Sequence, residues 1–558
     1  MADEAPMGSR ILPARHQLRL PTERFIRAEP LDDEHVPMDV VFVGAGPAGL
    51  AGAIELARLV REDNEAGGGL GAVEIGVLEK AGELGEHCLS GAVVDPRAFR
   101  ELFPDLAIED FPFRGPVEKE SVYLLTEGRS IPIPTPPTMR NHGNHLASIC
   151  EIVRWLGTRA EEAGVNLFTG FPVDALLVDG DAVVGVRTTP SGLDREGNAG
   201  PGAMPATDIA ARVTVLSEGT RGALAIAYRQ WQQIHAPNPQ IYALGVKEVW
   251  ETPRPLDRVI HTLGWPLPHD AFGGSFCYPL GPDQLAIGLV VGLDYRSAAF
   301  DPHVAFQKMK LHPLFRPYLE GGQMLEWGAK TIPEGGFHAL PERWHGDGLL
   351  IAGDTAGLVE VASLKGIHYA MQSGMYAARA IFSALKADDV GAGALASYDA
   401  MIRDGYIHRD LYARRNMRLT FKDGFYLGGA KAALMSLTKG AFPGGKIDTP
   451  KDAEEPKVAA EPDPFVPDGA LTFSKVDAVF KSGNQTRDDI PSHLLVGEDV
   501  PGEVADMYAA MCPAGVYERD GDRLVVNAPN CIDCKATDVL GPRWSPREGG
   551  SGPRYRSM

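Results

Sequence analysis

The stretch from residue 39 to residue 79 limits the possible folds of this chain more than any other part of its sequence. Residues 39–43 (DVVFV) are short, apolar and β-branched, which predicts a buried strand. A glycine-rich turn follows at 44–49, then small and apolar residues at helical spacing from Ala48, and a second apolar run at 73–79 (VEIGVLE). Strand, turn, helix and strand in this order predict a βαβ unit, and therefore a Rossmann-like domain.

The glycine turn has the spacing of a dinucleotide-binding fingerprint. Gly44 permits the tight turn, Gly46 lets the backbone approach a pyrophosphate, and Gly49 lets helix and strand pack closely. Amides at the helix start then bind the anion, while a carboxylate at the end of the second strand can accept hydrogen bonds from ribose hydroxyls. The predicted cofactor-binding residues of this region are Val43, Gly44, Ala45, Gly46, Pro47, Ala48, Gly49 and Glu79.

A second glycine and acid pair, Gly353 and Asp354, follows an apolar run at 349–352 and precedes a long helical pattern at 365–387. A carboxylate there can bond a sugar-alcohol hydroxyl while the helix start faces phosphate or the ring. Alone, Gly-Asp is a common turn. Because FAD is long enough to need contacts from two distant segments, the pair together with the fingerprint predicts FAD as the cofactor.

Three of the six cysteines, Cys512, Cys531 and Cys534, lie in the last fifty residues. Three soft ligands could converge there on iron. Zinc, a redox-active pair, and buried thiols without any metal are alternatives for a C-x-x-C pattern. The proline after Cys512 and the lack of a nearby histidine favour an iron-sulfur cluster over zinc.

Composition excludes several classes of protein. Subtracting 74 acidic from 54 basic side chains gives a net charge of −20, which disfavours nucleic-acid binding. No run of 18 uncharged apolar residues is present, and the acidic, proline-containing N-terminus does not resemble a signal peptide. No H-E-x-x-H or G-x-S-x-G motif supports a hydrolase, and we predict no catalytic side chain.

The chain is expected to be mixed α/β (α+β), with a Rossmann-like FAD-binding domain, an inserted β-rich domain and a C-terminal ferredoxin-like module. Residues 419–440 combine aromatic, small and apolar residues with lysines, which predicts either a helix lying in a membrane interface or an ordinary surface helix. The predicted divisions are a polar arm (1–37), the FAD domain (38–172 and 346–446), the β-rich substrate domain (173–345), an acidic proline-rich linker (447–468) and the cysteine module (469–558).

From residue 39 onward the chain resembles the electron transfer flavoprotein-ubiquinone oxidoreductases. The stretches that carry the resemblance are VVFVGAGPAGL, LSGAVVDP, MRNHGNHL, HTLGWPLPHDAFGGSFCYPL, LVVGLDY, HPLFRPYLEGG, EGGFHALP and CPAGVYE, in that order. The resemblance implies an enzyme that takes electrons from reduced electron transfer flavoprotein and passes them through FAD and a [4Fe-4S] cluster to ubiquinone. It also implies quinone contact at Gly273 and Gly274, where missing side chains let a flat ring approach the backbone.

The same resemblance implies attachment to one face of a membrane through segments near 102–125 and 419–439, here the inner, cytoplasmic membrane of a bacterium. It also exposes a departure, because the family pattern C-x-x-C-x-x-C has Thr537 at its third position in this chain. Asp538, Thr537, water or nothing could complete the cluster, and a [3Fe-4S] centre, a labile [4Fe-4S] centre or loss of the cluster stay open.

Three other functions fit part of the pattern. The first is a flavoprotein reductase of the FixC or geranylgeranyl-reductase type. The second is a flavoprotein whose degenerate cluster no longer permits quinone reduction. The third is a monooxygenase, although no second dinucleotide fingerprint is present for NAD(P)H.

Overall fold

The computed structural model describes residues 10–91, 93–442 and 444–558. A six-stranded sheet has the predicted first strand near its centre and is parallel except for its last pair. In spatial order its strands are Asn166–Thr169, Ile75–Glu79, Val40–Val43, Val213–Leu216, Leu349–Ile351 and His345–Gly346. The βαβ prediction is confirmed, with the connecting helix at Pro47–Glu65.

All four residues of Val40–Val43 are buried, as expected for a strand with helices on its faces. The helix Pro47–Glu65 packs against the helix Ile367–Lys386 at two glycines. A Cβ on Gly374 would lie 2.0 Å from the Ala48 carbonyl oxygen, and one on Gly52 would lie 2.9 Å from the Gly374 carbonyl oxygen. This close contact holds the two helix starts, and the loops before them, next to each other.

A seven-stranded sheet forms the second large layer and is antiparallel except between Val259–Gly264 and Glu120–Leu125. The strand Ser130–Ile133, which contains Pro132, lies at the edge of this sheet, where proline is tolerated. In spatial order the strands are Gln323–Pro333, Tyr242–Glu251, Gln284–Gly292, Gly273–Pro279, Val259–Gly264, Glu120–Leu125 and Ser130–Ile133.

The segment 173–345, expected to be one β-rich unit, instead contributes to several sheets. Its strand Val213–Leu216 belongs to the six-stranded sheet, and its last strands build the seven-stranded sheet. A separate five-stranded sheet has the order Ile26–Arg27, Val173–Asp179, Ala182–Thr188, Asp208–Ala210 and Val36–Pro37, and so includes the N-terminal arm. Alternation and turn residues identify strands, but they carry no information about distant pairing partners.

The acidic segment 447–468 is packed against the body rather than extended as a free linker. Its strand Lys457–Val458 pairs with Arg10–Ile11, and the side chain of Asp452 is buried. The cysteine module has helices Lys475–Lys481, Gly502–Met511 and Ala536–Leu540, the strand pair Leu494–Leu495 and Arg543–Trp544, and the hairpin Tyr517–Asp520 and Arg523–Val526. Its apolar core is continuous with that of the seven-stranded sheet.

The segment predicted as one helix at 419–440 consists of two pieces. A 3-10 helix, Leu419–Asp423, is separated from the helix Phe425–Leu437 by Gly424, whose φ of +89° favours glycine. Within the described ranges, no helix is both long and apolar enough to cross a membrane.

Shorter elements complete the chain. The remaining α-helices are Thr22–Phe25, Arg97–Leu102, Ile149–Glu162, Ala223–Trp231, Pro302–Lys310, Arg316–Leu319, Ala392–Leu395, Ser397–Asp404 and Tyr406–Ala413. The remaining strands are Val93–Val94, His145–Leu146 and Gly115–Pro116 in one small sheet, and Ser191–Leu193 with Ala199–Met204 in another.

Candidate functional site

A cavity of about 330 Å³ lies at the carboxyl ends of the parallel strands, the usual ligand position in an open α/β sheet. The structure brings both halves of the predicted FAD site into it. The predicted residues that line it are Val43, Gly44, Gly46, Pro47, Ala48, Glu79, Gly353 and Asp354. Ala45 and Gly49 belong to the same turn but lie outside the lining.

Packing requires glycine at two of the three positions of the turn, whereas the third position has open space beside it. Gly44 has φ +108°, and a Cβ there would lie 2.5 Å from the Ser217 carbonyl oxygen. A Cβ on Gly49 would lie 2.1 Å from the Gly44 carbonyl oxygen, so both positions are required by packing. A Cβ on Gly46 would meet no atom within 4 Å among the described residues, and Gly46 lines the cavity. The space beside Gly46 is therefore available to a ligand, and the turn fits a pyrophosphate.

Glu79 is held at the turn by backbone hydrogen bonds. Its carboxylate accepts from the Ala45 amide at 3.0 Å and from the Ala81 amide at 2.9 Å. Its position at the end of the second strand, facing the cavity, suits hydrogen bonds from ribose hydroxyls.

Gly353 and Asp354 reach the turn from the opposite side. Gly353 has φ +67°, its amide donates to Ser373 Oγ at 2.9 Å, and a Cβ on it would lie 3.0 Å from the Ala48 Cβ. Burial raises the pKa of Asp354 to about 6, and Lys330 partly opposes this shift. Two segments 300 residues apart in sequence therefore meet at one cavity, as a long cofactor requires.

Sequence reasoning missed the lysines of the cavity. The lysines that line it are Lys80, Lys247, Lys330, Lys365 and Lys535. Burial lowers the pKa of Lys247 to about 8 and that of Lys535 to about 7, and it also lowers the pKa of Lys330. The available signal at Lys247 was a charged pair, Lys247 and Glu248, inside a strand whose other residues before Glu251 are apolar or glycine. The same lining also contains carboxyl side chains, so the lysines place positive charge at particular points of the cavity rather than throughout it.

Cys512, Cys531 and Cys534 are brought together in the buried core of the C-terminal module. Burial raises the pKa of the Cys531 thiol to about 12 and also raises those of the other two. Cys512 adds to the rise of the pKa of both Cys531 and Cys534, and Cys531 adds to that of Cys534. Iron would have to displace these protons on binding. The three thiols fit three corners of an iron-sulfur cluster, whereas the corner expected at Thr537 has a buried neutral hydroxyl.

Asp533, between two of the cysteines, connects the cysteine module to the cavity. Its buried carboxylate pairs with Lys80 Nζ at 2.6 Å and Arg547 Nη2 at 2.9 Å, and accepts from Trp544 Nε1 at 3.1 Å. Burial alone would raise the pKa of Asp533, but the cations hold it well below its usual value. Because Lys80 also lines the cavity, cluster module and cofactor cavity share this contact.

Gly273 and Gly274 lie outside the cavity lining, at the start of the strand Gly273–Pro279. A Cβ on Gly273 would lie 2.1 Å from the Val290 carbonyl oxygen, and one on Gly274 would lie 2.3 Å from the Thr262 carbonyl oxygen. Packing of the sheet therefore requires glycine at both positions, independently of any ligand. Their role in quinone binding stays a prediction.

Two family models match the chain. One, described as ETF-QO, ubiquinone-binding, covers residues 242–332, and the other, described as electron transfer flavoprotein-ubiquinone oxidoreductase, 4Fe-4S, covers residues 469–556. The first includes Gly273 and Gly274, and the second includes all three cysteines of the module.

Curated relatives match along nearly the whole chain. The mitochondrial electron transfer flavoprotein-ubiquinone oxidoreductase of Oryza sativa subsp. japonica is 39% identical over 94% of this chain and 94% of its own length. The Arabidopsis thaliana protein of the same name is 38% identical over 94% and 85%, and the Homo sapiens protein is 36% identical over 93% and 89%.

Among solved structures, a geranylgeranyl bacteriochlorophyll reductase-like protein from Thermoplasma acidophilum aligns with a TM-score of 0.56 and 18% identity over 72% of this chain and 92% of that one. The flavin-dependent brominase Bmp2 triple mutant aligns with a TM-score of 0.50 and 16% identity over 72% and 94%. At these identities the likeness shows the fold alone.

Proposed function

The chain belongs to the electron transfer flavoprotein-ubiquinone oxidoreductase family, and from this premise we propose which of its residues carry the reaction. It transfers electrons from electron transfer flavoprotein to ubiquinone through FAD and a [4Fe-4S] cluster. Bound FAD supplies a carrier able to exchange either one or two electrons. The observation that carries this conclusion is the match of the whole chain to this family, with a glycine-turn cavity and a three-thiol module joined at Asp533.

The residues of the cavity have separate binding tasks. Gly46 and the amides at the start of Pro47–Glu65 hold the pyrophosphate, and Glu79 accepts from the ribose hydroxyls. Asp354 bonds a hydroxyl of the sugar-alcohol chain. Lys330, which lines the cavity, would place positive charge near bound FAD, and a nearby cation would stabilise the negative charge that reduction adds.

Quinone is proposed to bind near Gly273 and Gly274, on the side of the sheet next to residues 419–437. Phe272, directly before the pair, packs edge-on against Phe421 with ring centroids 5.0 Å apart. Val290, the strand partner of Gly274, lines the FAD cavity. The proposed quinone site therefore lies between the cavity and the candidate membrane segment, which gives a short route for electrons.

The helix Phe425–Leu437 is proposed to lie in the membrane interface. Leu434 and Leu437 are 42% and 79% exposed and lie three positions apart, so they share a face. Leu427 and Phe442 add further exposed apolar surface. Exposed leucines on a short helix are typical of interfacial attachment. The relatives named above are mitochondrial, and location on a bacterial inner membrane stays a prediction.

The double variant L434D/L437D is expected to bind vesicles about 10–100-fold more weakly. Burial of a fully exposed leucine contributes about 1.5–3 kcal/mol, and Leu434 and Leu437 are 42% and 79% exposed. Flotation of the full chain with phospholipid vesicles measures this binding. The matched control is Phe480→Asp, which changes an 83% exposed aromatic residue on the C-terminal module. Equal flotation of the double variant and the unaltered chain would show that this helix does not contact the membrane.

Turnover tests the proposed function directly. FAD-loaded full-length protein, supplied with reduced electron transfer flavoprotein and a short-chain ubiquinone, is expected to reduce the quinone. The same protein stripped of FAD is the control and is expected to be inactive. Loss of donor oxidation in the loaded protein would reject the function, whereas donor oxidation without quinone reduction would indicate a flavoprotein that has lost its acceptor.

A further inference from the structure

We propose that three thiolates hold the iron-sulfur cluster of this chain, and that its fourth iron carries an exchangeable water or hydroxide that small anions can replace. The inference rests on the proposed function, because it concerns the same cluster. It assigns the exchangeable ligand to the cluster position where the family pattern has a cysteine and this chain has Thr537.

The chain has no fourth cysteine at the module. A [4Fe-4S] cluster of this kind takes four cysteine thiolates, and Cys512, Cys531 and Cys534 supply three. The other cysteines lie elsewhere in the fold, and Cys88 lines the FAD cavity. Cys150 Sγ donates to the Cys88 carbonyl oxygen at 3.2 Å, and Cys277 lies on a central strand of the seven-stranded sheet.

Thr537 and Asp538, at the missing position and directly after it, cannot replace the thiolate. Thr537 is buried, but its neutral hydroxyl is a poor iron ligand beside soft thiolates. The Asp538 carboxylate pairs with Arg221 Nε at 2.5 Å and accepts from the Trp544 amide at 3.0 Å. Releasing this buried carboxylate to iron would leave the buried Arg221 without its carboxylate partner, which is strongly unfavourable.

His493 is the remaining candidate ligand, because it is buried and both ring nitrogens lack a hydrogen-bond partner among the described residues. One of its nitrogens, the Cys531 Sγ and an Asp533 oxygen all lie within 4.8 Å of one another. His493 therefore lies beside the corner that Cys531 already occupies. At the corner next to Thr537 the nearby protein group is the neutral hydroxyl of the buried Tyr517, which interacts with Thr537 and with the three thiols. The proposal assigns the iron at this corner to a ligand from solvent rather than to that hydroxyl.

An iron without a protein thiolate has two measurable properties. Mild oxidation converts a [4Fe-4S]²⁺ cluster to [3Fe-4S]⁺ by releasing one Fe²⁺ and one electron, which ferricyanide accepts. The iron lost is the one without a thiolate. With water as the fourth ligand, the cluster carries one negative charge fewer than with a fourth thiolate, which raises its reduction potential.

The test compares the anaerobically purified full-length chain with Thr537→Cys, Thr537→Val and His493→Ala. After stoichiometric ferricyanide, the unaltered chain is expected to lose about one iron per cluster and to show the EPR signal of a [3Fe-4S]⁺ centre. Ferrous iron with dithionite should restore the original signal. Thr537→Cys should retain its iron and have a lower reduction potential, while Thr537→Val and His493→Ala should behave like the unaltered chain.

Cyanide adds a direct measurement of the open position. It is expected to change the EPR spectrum of the reduced cluster in the unaltered chain but not in Thr537→Cys. Resistance of the unaltered chain to ferricyanide would overturn the proposal. So would loss of the cluster in Thr537→Val or His493→Ala, or a cluster that forms only in Thr537→Cys. Quinone turnover, scored separately, reports on the proposed function rather than on this ligand.

Discussion

Gly46→Val is expected to give a folded protein that binds FAD at least about 100-fold more weakly. Gly46 has extended backbone angles (φ −79°, ψ −178°), which valine adopts readily, and no described atom lies within 4 Å of its Cβ position. The valine side chain would instead fill the space next to the helix amides, where the pyrophosphate binds.

The flavin-to-protein absorbance ratio and circular dichroism measure the two parts of this prediction. Gly128→Val is the matched control, because that Cβ position is also open and lies far from the cavity lining. Gly44→Val should behave differently and misfold, since its Cβ would lie 2.5 Å from a backbone oxygen at a positive φ. Full flavin content in Gly46→Val would show that the pyrophosphate does not bind next to Gly46.

Asp533→Asn is expected to destabilise the docking of the cysteine module by about 3–5 kcal/mol. The carboxylate is fully buried and pairs with Lys80 and Arg547, so an amide would leave two cations without their anion. Asparagine keeps the size of the side chain, which separates loss of charge from loss of volume. Since Lys80 lines the FAD cavity, the change should destabilise both the cysteine module and the cavity segment around Lys80.

Hydrogen exchange of residues 80–88 and 531–547 measures this effect, and urea unfolding gives its size. Exchange is expected to accelerate in both segments of Asp533→Asn while the helix Pro47–Glu65 stays protected. Asp506→Asn is the control, because Asp506 forms an exposed ion pair with Arg519, and such pairs contribute about 0–1 kcal/mol. Unchanged exchange in Asp533→Asn would mean that apolar contacts alone hold the module in place.

Several parts of the site were predictable because their signal is local. The turn at Gly44, Gly46 and Gly49 is encoded within six residues between a strand and a helix, and the structure forms it as expected. Gly353 and Asp354 were found in the same way, as a turn between a strand and a helix. The missing thiolate at Thr537 was also readable, because ligand spacing in a C-x-x-C-x-x-C pattern is a property of sequence alone.

Two features of the fold differ from the expectation, one for a local reason at Gly424 and the other because of distance along the chain. The single helix expected at 419–440 is broken at Gly424, and the strands within 173–345 are shared among sheets whose partners lie far away in sequence. Hydrophobic periodicity states that a strand exists and which face is apolar, but not which strand it joins.

The order of strand, turn and helix, the FAD fingerprint and the number of available thiolates follow from the sequence, because each depends on neighbouring residues. The tertiary structure alone decides that Lys80, 453 residues from Asp533, pairs with it, and that Asp538 is engaged by Arg221 and so is withdrawn from iron. The physical reason is that buried charges must find partners, and folding rather than sequence proximity selects them.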